Sequence, residues 1–169
     1  MYIPILLGTA REGRLSEKAA LFVEEEAKKF GFETEIIDPR TVLKAPATSG
    51  EIDESYREKI QRADGILIVS PEYNHGYPGE LKIMLDSAYK EYFGKPVGIC
   101  GVSTGLLGGV RMTEQLRLVL IEFHMINTRE AVYFNGAEAV FSEVSGTKEN
   151  FVPYLKKLFE EIKEKAFRK

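Results

Sequence analysis

Short apolar runs alternate along the chain with longer stretches whose apolar residues recur at a helical spacing. A continuous apolar run of about four to eight residues is typical of a β-strand covered on both faces. Five such strands are predicted, the second more polar than the rest and the fifth without a definite start. They are expected at residues 2–7, 32–38, 65–70 and 95–102, and within 125–134.

Five amphipathic helices are predicted between and after these strands. Ser16 opens the first and Gly31 is placed to end it, whereas Pro78 is a favourable first-turn residue for the third. A loop rich in Pro, Ala, Ser and Thr, residues 39–50, precedes the second. The predicted buried faces are Ala19, Ala20, Val23, Ala27 and Phe30; Ile52, Tyr56, Ile60 and Ala63; Leu81, Met84, Leu85 and Ala88; Met112, Leu116, Val119, Leu120 and Phe123; and Phe151, Leu155, Leu158, Phe159, Ile162 and Ala166.

This alternation of strands and helices predicts an α/β fold with a parallel sheet and helices on both faces. No internal repeat, low-complexity segment or linker divides the chain, so residues 1–169 are expected to form a single domain. In such sheets ligands bind outside the carboxyl ends of the strands. The loops after strands one, three and four are therefore the segments in which a binding site is expected.

Charge and cysteine content exclude several function classes. A net charge of −3 argues against a nucleic-acid surface, which needs clustered Lys and Arg. The single cysteine, Cys100, excludes an internal disulfide or a Cys-rich metal or iron–sulfur site, and its apolar neighbours predict a buried thiol. The apolar N-terminal run is too short for a membrane span or signal peptide and lacks a basic flank. A cytoplasmic protein without a metal or a membrane segment is expected.

The loop after strand one leads directly into a helix, whose N-terminal N–H groups favour an anion. Thr9 and Ser16 add hydroxyl donors, and Arg11 and Arg14 add charge-assisted donors suited to phosphate oxygens. The Walker A spacing and the three-glycine dinucleotide fingerprint are both missing, which favours a terminal monophosphate. The alternative is that Ser16 only caps the helix and the arginines are solvated.

The loop after strand three combines Pro and Gly with two tyrosines, an asparagine and a histidine. Backbone amides and Asn74 are suited to the edge of a flat heterocycle, and aromatic rings such as Tyr73 are suited to its face. After strand four, four glycines within residues 101–109 let the backbone approach a ligand closely. These glycines equally suit a tight turn from strand to helix.

These three loops resemble motifs of the NAD(P)H-dependent FMN reductase family, which has the flavodoxin-like fold and includes quinone, azo-dye and chromate reductases. The matching segments are Gly8-Thr9-Ala10-Arg11 through Ser16; Pro71-Glu72-Tyr73-Asn74 with Pro78-Gly79 and Leu81-Lys82; and Ser103-Thr104-Gly105 with Gly108-Gly109. The resemblance implies a flavodoxin-like three-layer sandwich with a five-stranded parallel sheet of order 2-1-3-4-5.

The resemblance also implies three groups of contacts with FMN. The first loop binds the phosphate, the loop after strand three lines the isoalloxazine, and the loop after strand four meets its pyrimidine side. The expected cofactor-binding residues are Thr9, Arg11, Arg14, Leu15, Ser16, Pro71, Glu72, Tyr73, Asn74, Ser103, Thr104, Gly105 and Gly108.

The predicted function is an oxidoreductase that passes hydride from NADPH or NADH to FMN and then reduces a quinone, free flavin, azo compound or metal ion. No catalytic side chain is strictly required. His75 is a candidate donor of a proton or hydrogen bond to the acceptor, and a solvated loop histidine is the alternative. A flavodoxin-type electron carrier and a flavin-free regulatory domain are the alternative functions.

The expected partners are small molecules: a nicotinamide nucleotide and an electron acceptor. Self-association is also expected, because Tyr77, Tyr89, Tyr92 and Phe93 exceed what one helix face can bury. The family resemblance implies a homodimer or homotetramer.

Overall fold

The computed structural model describes residues 1–43, 54–144 and 146–168, in which five strands form one parallel sheet. The order is β2-β1-β3-β4-β5, which confirms the predicted fold class. The strands are β1 (Ile5–Leu7), β2 (Ile36–Ile37), β3 (Ile66–Pro71), β4 (Pro96–Val102) and β5 (Ile126–Phe134).

The helices surround this sheet on both faces. The α-helices are α1 (Leu15–Phe30), α2 (Pro39–Val42), α3 (Glu54–Arg62), α4 (Gly79–Asp86), α5 (Val110–Glu122), α6 (Ala137–Val140) and α7 (Val152–Phe167), and two 3-10 turns span Lys90–Tyr92 and Lys148–Phe151. The five predicted helices correspond to α1, α3, α4, α5 and α7. Gly31 ends α1 in the left-handed conformation, as its position in the sequence predicts.

The short helix α2 corrects the prediction of a loop from residue 39 onward. The Asp38 carboxylate accepts a hydrogen bond from the Arg40 N–H, and Pro39 occupies the first turn. The remainder of the predicted loop, residues 44–50, and the predicted core residue Ile52 lie outside the described residues.

β1 and β2 are shorter than predicted. Pro4, which has no N–H to donate, precedes β1, and Tyr2 makes only an isolated bridge with Glu33. The three central strands are buried except for the half-buried Pro71 at the end of β3, and alternate residues pack on opposite faces. The fold therefore rests on β1, β3 and β4, whose carboxyl ends point to one edge.

Two apolar layers flank the sheet. Helices α1, α6 and α7 cover one face, and α2, α3, α4 and α5 cover the other. Most predicted core positions are buried; the exceptions among the described residues, which are only half-buried, are Phe30, Val119, Phe151 and Ala166. Cys100 is buried as predicted, and burial raises the pKa of its thiol.

The expected aromatic surface is smaller than predicted. Tyr92 is fully buried, and its hydroxyl lies 2.5 Å from that of Tyr56. Burial raises the pKa of the Tyr92 phenol well above its usual value. Tyr77 packs partly against the core, so only Tyr89 and Phe93, 44% and 39% exposed, remain at the surface. Across the described ranges, no helix is both long enough and apolar enough to cross a membrane.

Candidate cofactor-binding site

A cleft of about 470 Å³ opens where the loops after β1, β3 and β4 meet. Its lining residues are Arg11, Glu12, Gly13, Arg14, Leu15, Ser16, Pro71, Glu72, Tyr73, Val102, Ser103, Thr104 and Glu138. All three loops singled out in the sequence therefore contribute to one cavity. Among the predicted binding residues, those that do not line it are Thr9, Asn74, Gly105 and Gly108.

Ser16 lies in the first turn of α1 and forms part of the cleft wall. It does not cap the helix, because the N-cap position is occupied by Arg14 and no side chain caps it. The Ser16 side chain is almost completely buried, and its Oγ has no hydrogen-bond partner among residues 1–43, 54–144 and 146–168. A buried hydroxyl without a partner is unfavourable. A buried hydroxyl beside the N–H groups at the start of a helix is a donor set suited to an oxyanion.

Arg14 lines the cleft, but part of its guanidinium is held by protein groups, so its predicted contact with phosphate remains a prediction. Its side chain is 1% exposed, Nη1 lies 3.0 Å from Oδ1 of Asp38, and the same nitrogen donates to the carbonyl of Thr9. Burial alone would raise the pKa of the Asp38 carboxyl. Hydrogen bonds from Arg14 and the Arg40 N–H outweigh burial and hold this pKa below its usual value. Arg11 is exposed and takes part in no ion pair within the described part of the chain.

Thr9 connects the first loop to Tyr73 and Glu80. It is fully buried, and its hydroxyl lies 3.4 Å from the Tyr73 hydroxyl and 3.5 Å from Oε1 of Glu80. Gly8 leaves no room for a side chain, because a Cβ there would lie 2.3 Å from Oγ of Ser70. Thr9 thus shapes the loop, and its predicted direct contact with phosphate remains a prediction.

The loop after β3 contains a tight turn at Tyr73–Gly76. The N–H of each end residue donates to the carbonyl of the other, both at 2.9 Å. Asn74 and His75 both have positive φ, 49° and 71°, as in the primed turns that connect hairpins. Both side chains lie at the exposed rim, whereas Tyr73 lines the cleft.

Glu72 and His75 share one partner, Arg111 on the first turn of α5. Nε of Arg111 lies 2.7 Å from Oε1 of Glu72, and its Nη1 lies 2.6 Å from Nε2 of His75. A guanidinium can only donate, so Nε2 accepts and the imidazole proton lies on Nδ1. The predicted donor role of His75 is therefore restricted to Nδ1.

The loop after β4 both lines the cleft and forms the turn that leads from the strand into α5. Ser103 and Thr104 line the cleft, and Oγ of Ser103 accepts a hydrogen bond of 2.9 Å from the N–H of Gly105. Gly108 has a φ of 59°, and a Cβ there would lie 2.8 Å from Cβ of Tyr133. At Gly108 the structure therefore supports a tight turn from strand to helix, the alternative that the sequence left open.

The sequence did not identify several residues of the site. Glu12 and Glu138 line the cleft, and Asp38, Glu80 and Arg111 support its loops. Glu138 lies in α6, which follows the carboxyl end of β5. The rule that ligands bind outside the carboxyl ends of parallel strands therefore applies to this segment too. The supporting residues had no such signal, because each meets its partner across a long separation in the chain.

Sequence comparisons point to one family. A family model described as NADPH-dependent FMN reductase matches residues 1–139. A quinone reductase of Pseudomonas putida is 33% identical over 107 residues, which cover 59% of this chain and 57% of that protein. An NAD(P)H-dependent FMN reductase of Schizosaccharomyces pombe is 35% identical over 130 residues, covering 69% and 64%. The chain thus spans less than two thirds of these relatives' lengths.

Solved structures share the fold. FerB, a flavoenzyme NAD(P)H:(acceptor) oxidoreductase of Paracoccus denitrificans, matches with a TM-score of 0.77 and 20% identity over 96% of this chain and 97% of that one. A mutant flavodoxin of Pseudomonas aeruginosa matches with a TM-score of 0.66 and 16% identity over 96% and 99%. At these identities the likeness concerns the fold.

Proposed function

The chain belongs to the NADPH-dependent FMN reductase family, and from this premise we propose that it is an FMN-binding oxidoreductase that uses NAD(P)H as reductant. Residues 1–169 are taken as one FMN-binding domain. The observation that carries the proposal is the buried Ser16 hydroxyl at the start of α1, which has no hydrogen-bond partner in the part of the chain that the structure describes. A phosphate group would satisfy this hydroxyl and the neighbouring helical N–H groups together.

The residues of the cleft fit the two chemically different ends of FMN. Ser16 and the exposed Arg11 would supply donors for the phosphate, while Pro71 and Tyr73 would supply apolar surface for the flat ring. The ring's polar edge would face Ser103 and its loop. A volume of about 470 Å³ lies within the usual range of cofactor clefts.

When bound, FMN supplies the redox chemistry, taking a hydride from the nicotinamide and passing electrons to an acceptor. The protein's contribution is to hold and orient the reactants. Tyr73 covers part of the cleft, and Arg111 neutralises the Glu72 carboxylate in its wall. At the rim, the Nδ1–H of His75 is available to donate a hydrogen bond to an acceptor molecule.

Quinones are the acceptor class we favour, because matched relatives from Pseudomonas putida and Escherichia coli carry the name quinone reductase. Free flavin, azo compounds and oxidised metal ions are the other candidates, and either NADPH or NADH is a possible reductant. We propose that this activity takes place in the cytoplasm. The single cysteine, Cys100, is a buried free thiol, which is compatible with a reducing compartment.

Anaerobic absorbance spectroscopy tests the proposal. Purified protein is loaded with FMN and mixed with NADPH, then in parallel with NADH, and menadione follows. Bleaching of the flavin and catalytic NAD(P)H oxidation are expected. Bleaching without turnover would indicate a flavodoxin-type carrier, and a protein that fails to retain FMN would contradict the proposal.

We also propose a homodimer or homotetramer. The exposed Tyr89 and Phe93 rings contact each other at 5.1 Å between centroids and offer an apolar surface for a second copy. Light scattering at micromolar concentration is expected to give a multiple of 19.1 kDa. A monomer that persists as the concentration is raised would contradict this assembly.

A further inference from the structure

Arg111 connects two segments of the chain that meet at the rim of the cleft. It lies in the first turn of α5, 39 positions after Glu72 and 36 after His75, and its guanidinium contacts both side chains. The N–H of Met112, the next residue, also approaches Oε2 of Glu72 at 3.4 Å. The start of α5 and the loop after β3 are therefore joined through one side chain.

The turn that Arg111 contacts has two consecutive residues with positive φ. Asn74 and His75 both occupy the left-handed region, which residues with side chains adopt less readily than glycine, so contacts with the surrounding structure help to hold it. The turn also packs closely on α5, because a Cβ on Gly76 would lie 3.2 Å from Oε1 of Gln115. The contact between Arg111 and His75 fixes the second of the two left-handed residues.

Charge gives Arg111 a second effect. The Glu72 side chain is 6% exposed, whereas that of Arg111 is 45% exposed and reaches the carboxylate from the solvent side. Without its partner, Glu72 would place an uncompensated negative charge in the wall of a cleft that must accept an anion. The planar guanidinium can bind a carboxylate and an imidazole at the same time, which the single ammonium of lysine cannot reproduce in the same geometry.

We propose that Arg111 is a positioning residue for the flavin site. It neutralises Glu72, fixes the Tyr73–Gly76 turn and selects the Nδ1–H tautomer of His75, so that Tyr73 covers the ring and His75 presents a donor at the rim. The inference rests on the proposed function, because the ring that Tyr73 covers is that of FMN. The contacts themselves are made between side chains of the protein alone.

The test compares Arg111→Gln and Arg111→Lys with the control Arg168→Gln, which removes an exposed arginine paired with Glu164 far along the chain. Circular dichroism first establishes that each variant is folded. FMN affinity is measured by quenching of flavin fluorescence, and the His75 tautomer by ¹⁵N NMR of the flavin-free protein. Arg111→Gln is expected to raise the Kd for FMN about tenfold and to abolish the Nδ1–H preference, while the control changes neither.

Two further variants separate charge from geometry. Arg111→Lys is expected to recover part of the affinity but not the tautomer. Adding Glu72→Gln to Arg111→Gln removes the stranded carboxylate, so FMN affinity is expected to improve again while the His75 spectrum stays altered. Steady-state kinetics of the lysine variant are expected to show a larger effect on KM for the acceptor than on kcat.

The inference would be overturned if Arg111→Gln kept both the wild-type FMN affinity and the wild-type His75 spectrum. A wild-type protein that binds no FMN at all would instead refute the proposed function. In that case the ¹⁵N measurement still decides whether Arg111 fixes the turn, because it needs no flavin.

Discussion

Replacing Ser16 with alanine removes one oxygen atom from the cleft wall and leaves the backbone of α1 unchanged. Among the described residues this oxygen has no hydrogen-bond partner, and it is nearly inaccessible to solvent. Leaving such a group unsatisfied costs about 1–3 kcal/mol, and alanine is also the better helix former. The variant is therefore expected to be as stable as the parent or about 1 kcal/mol more stable, which corresponds to a gain in Tm of roughly 2–4 °C.

The same substitution is expected to weaken FMN binding. A hydroxyl that donates to a charged phosphate contributes about 1.5–3 kcal/mol, so the Kd for FMN should rise about 10- to 100-fold. Titration of FMN fluorescence measures the affinity, and thermal unfolding of the flavin-free protein measures the stability. The two effects are expected to have opposite signs, which a residue with a purely structural role would not produce.

Ser87→Ala is the matched control. Ser87 is also buried, but its Oγ donates to the carbonyl of Ile83 at 2.6 Å near the end of α4, outside the cleft. Its replacement is expected to cost about 1 kcal/mol of stability and to leave FMN affinity unchanged. If Ser16→Ala lowered the Tm as Ser87→Ala does and left the affinity for FMN intact, the assignment of Ser16 to the phosphate site would be wrong.

Two other predictions concern the loops themselves. Asp38→Asn removes the nearer carboxylate from the buried Arg14 guanidinium and leaves, of the described carboxylates, only Glu17, whose Oε2 lies 3.5 Å from Nε. It is expected to cost about 2–3 kcal/mol, less than for a fully buried pair because the Asp38 side chain is 23% exposed. The folded-state pKa of Asp38 is lowered, so its contribution is complete at neutral pH, begins to fall below about pH 4 and is lost as the pH passes through the lowered folded-state pKa. The difference in urea midpoint between parent and variant is therefore expected to be largest at pH 7 and to narrow progressively below about pH 4. Gly108→Ala is expected to lower the free energy of unfolding in urea by more than about 2 kcal/mol, since it combines a positive φ with a clash against Tyr133. Gly94→Ala has a φ of 70° but no described atom within 4 Å of the added Cβ, so it should cost only about 1 kcal/mol. Equal costs would refute the role of the clash.

The sequence could predict the sheet and the position of the cleft because both depend on local patterns. A continuous apolar run such as Ile66–Val69 indicates a strand covered on both faces, and all four residues of this run are fully buried. Once the strands are placed, parallel topology brings the ends of β1, β3 and β4 to one edge. Ser16 follows from the same logic, because it lies where the first loop enters a helix.

The pattern was insufficient where a residue's role depends on a distant partner. Arg14 has the sequence position of a phosphate ligand, yet its charge is matched by Asp38, 24 positions away. Tyr92 was expected at the surface, but the hydroxyl of Tyr56 gives its phenol a buried partner. Helices α2 and α6 span four residues each, too few for a helical period to be recognised.

The charges that line the cleft favour a single phosphate over a larger polyanion. Arg14 is matched by Asp38, and the Glu72 carboxylate is matched by Arg111, so neither pair adds net charge to the cleft. Three charged lining residues remain: the cationic Arg11 and the glutamates Glu12 and Glu138. Neither glutamate takes part in an ion pair among the described residues. In the proposed site, neutral donors would then provide most of the anion binding, namely the Ser16 hydroxyl and the first N–H groups of α1. Such donors fix one phosphate group in one place, and the two glutamates would repel a second.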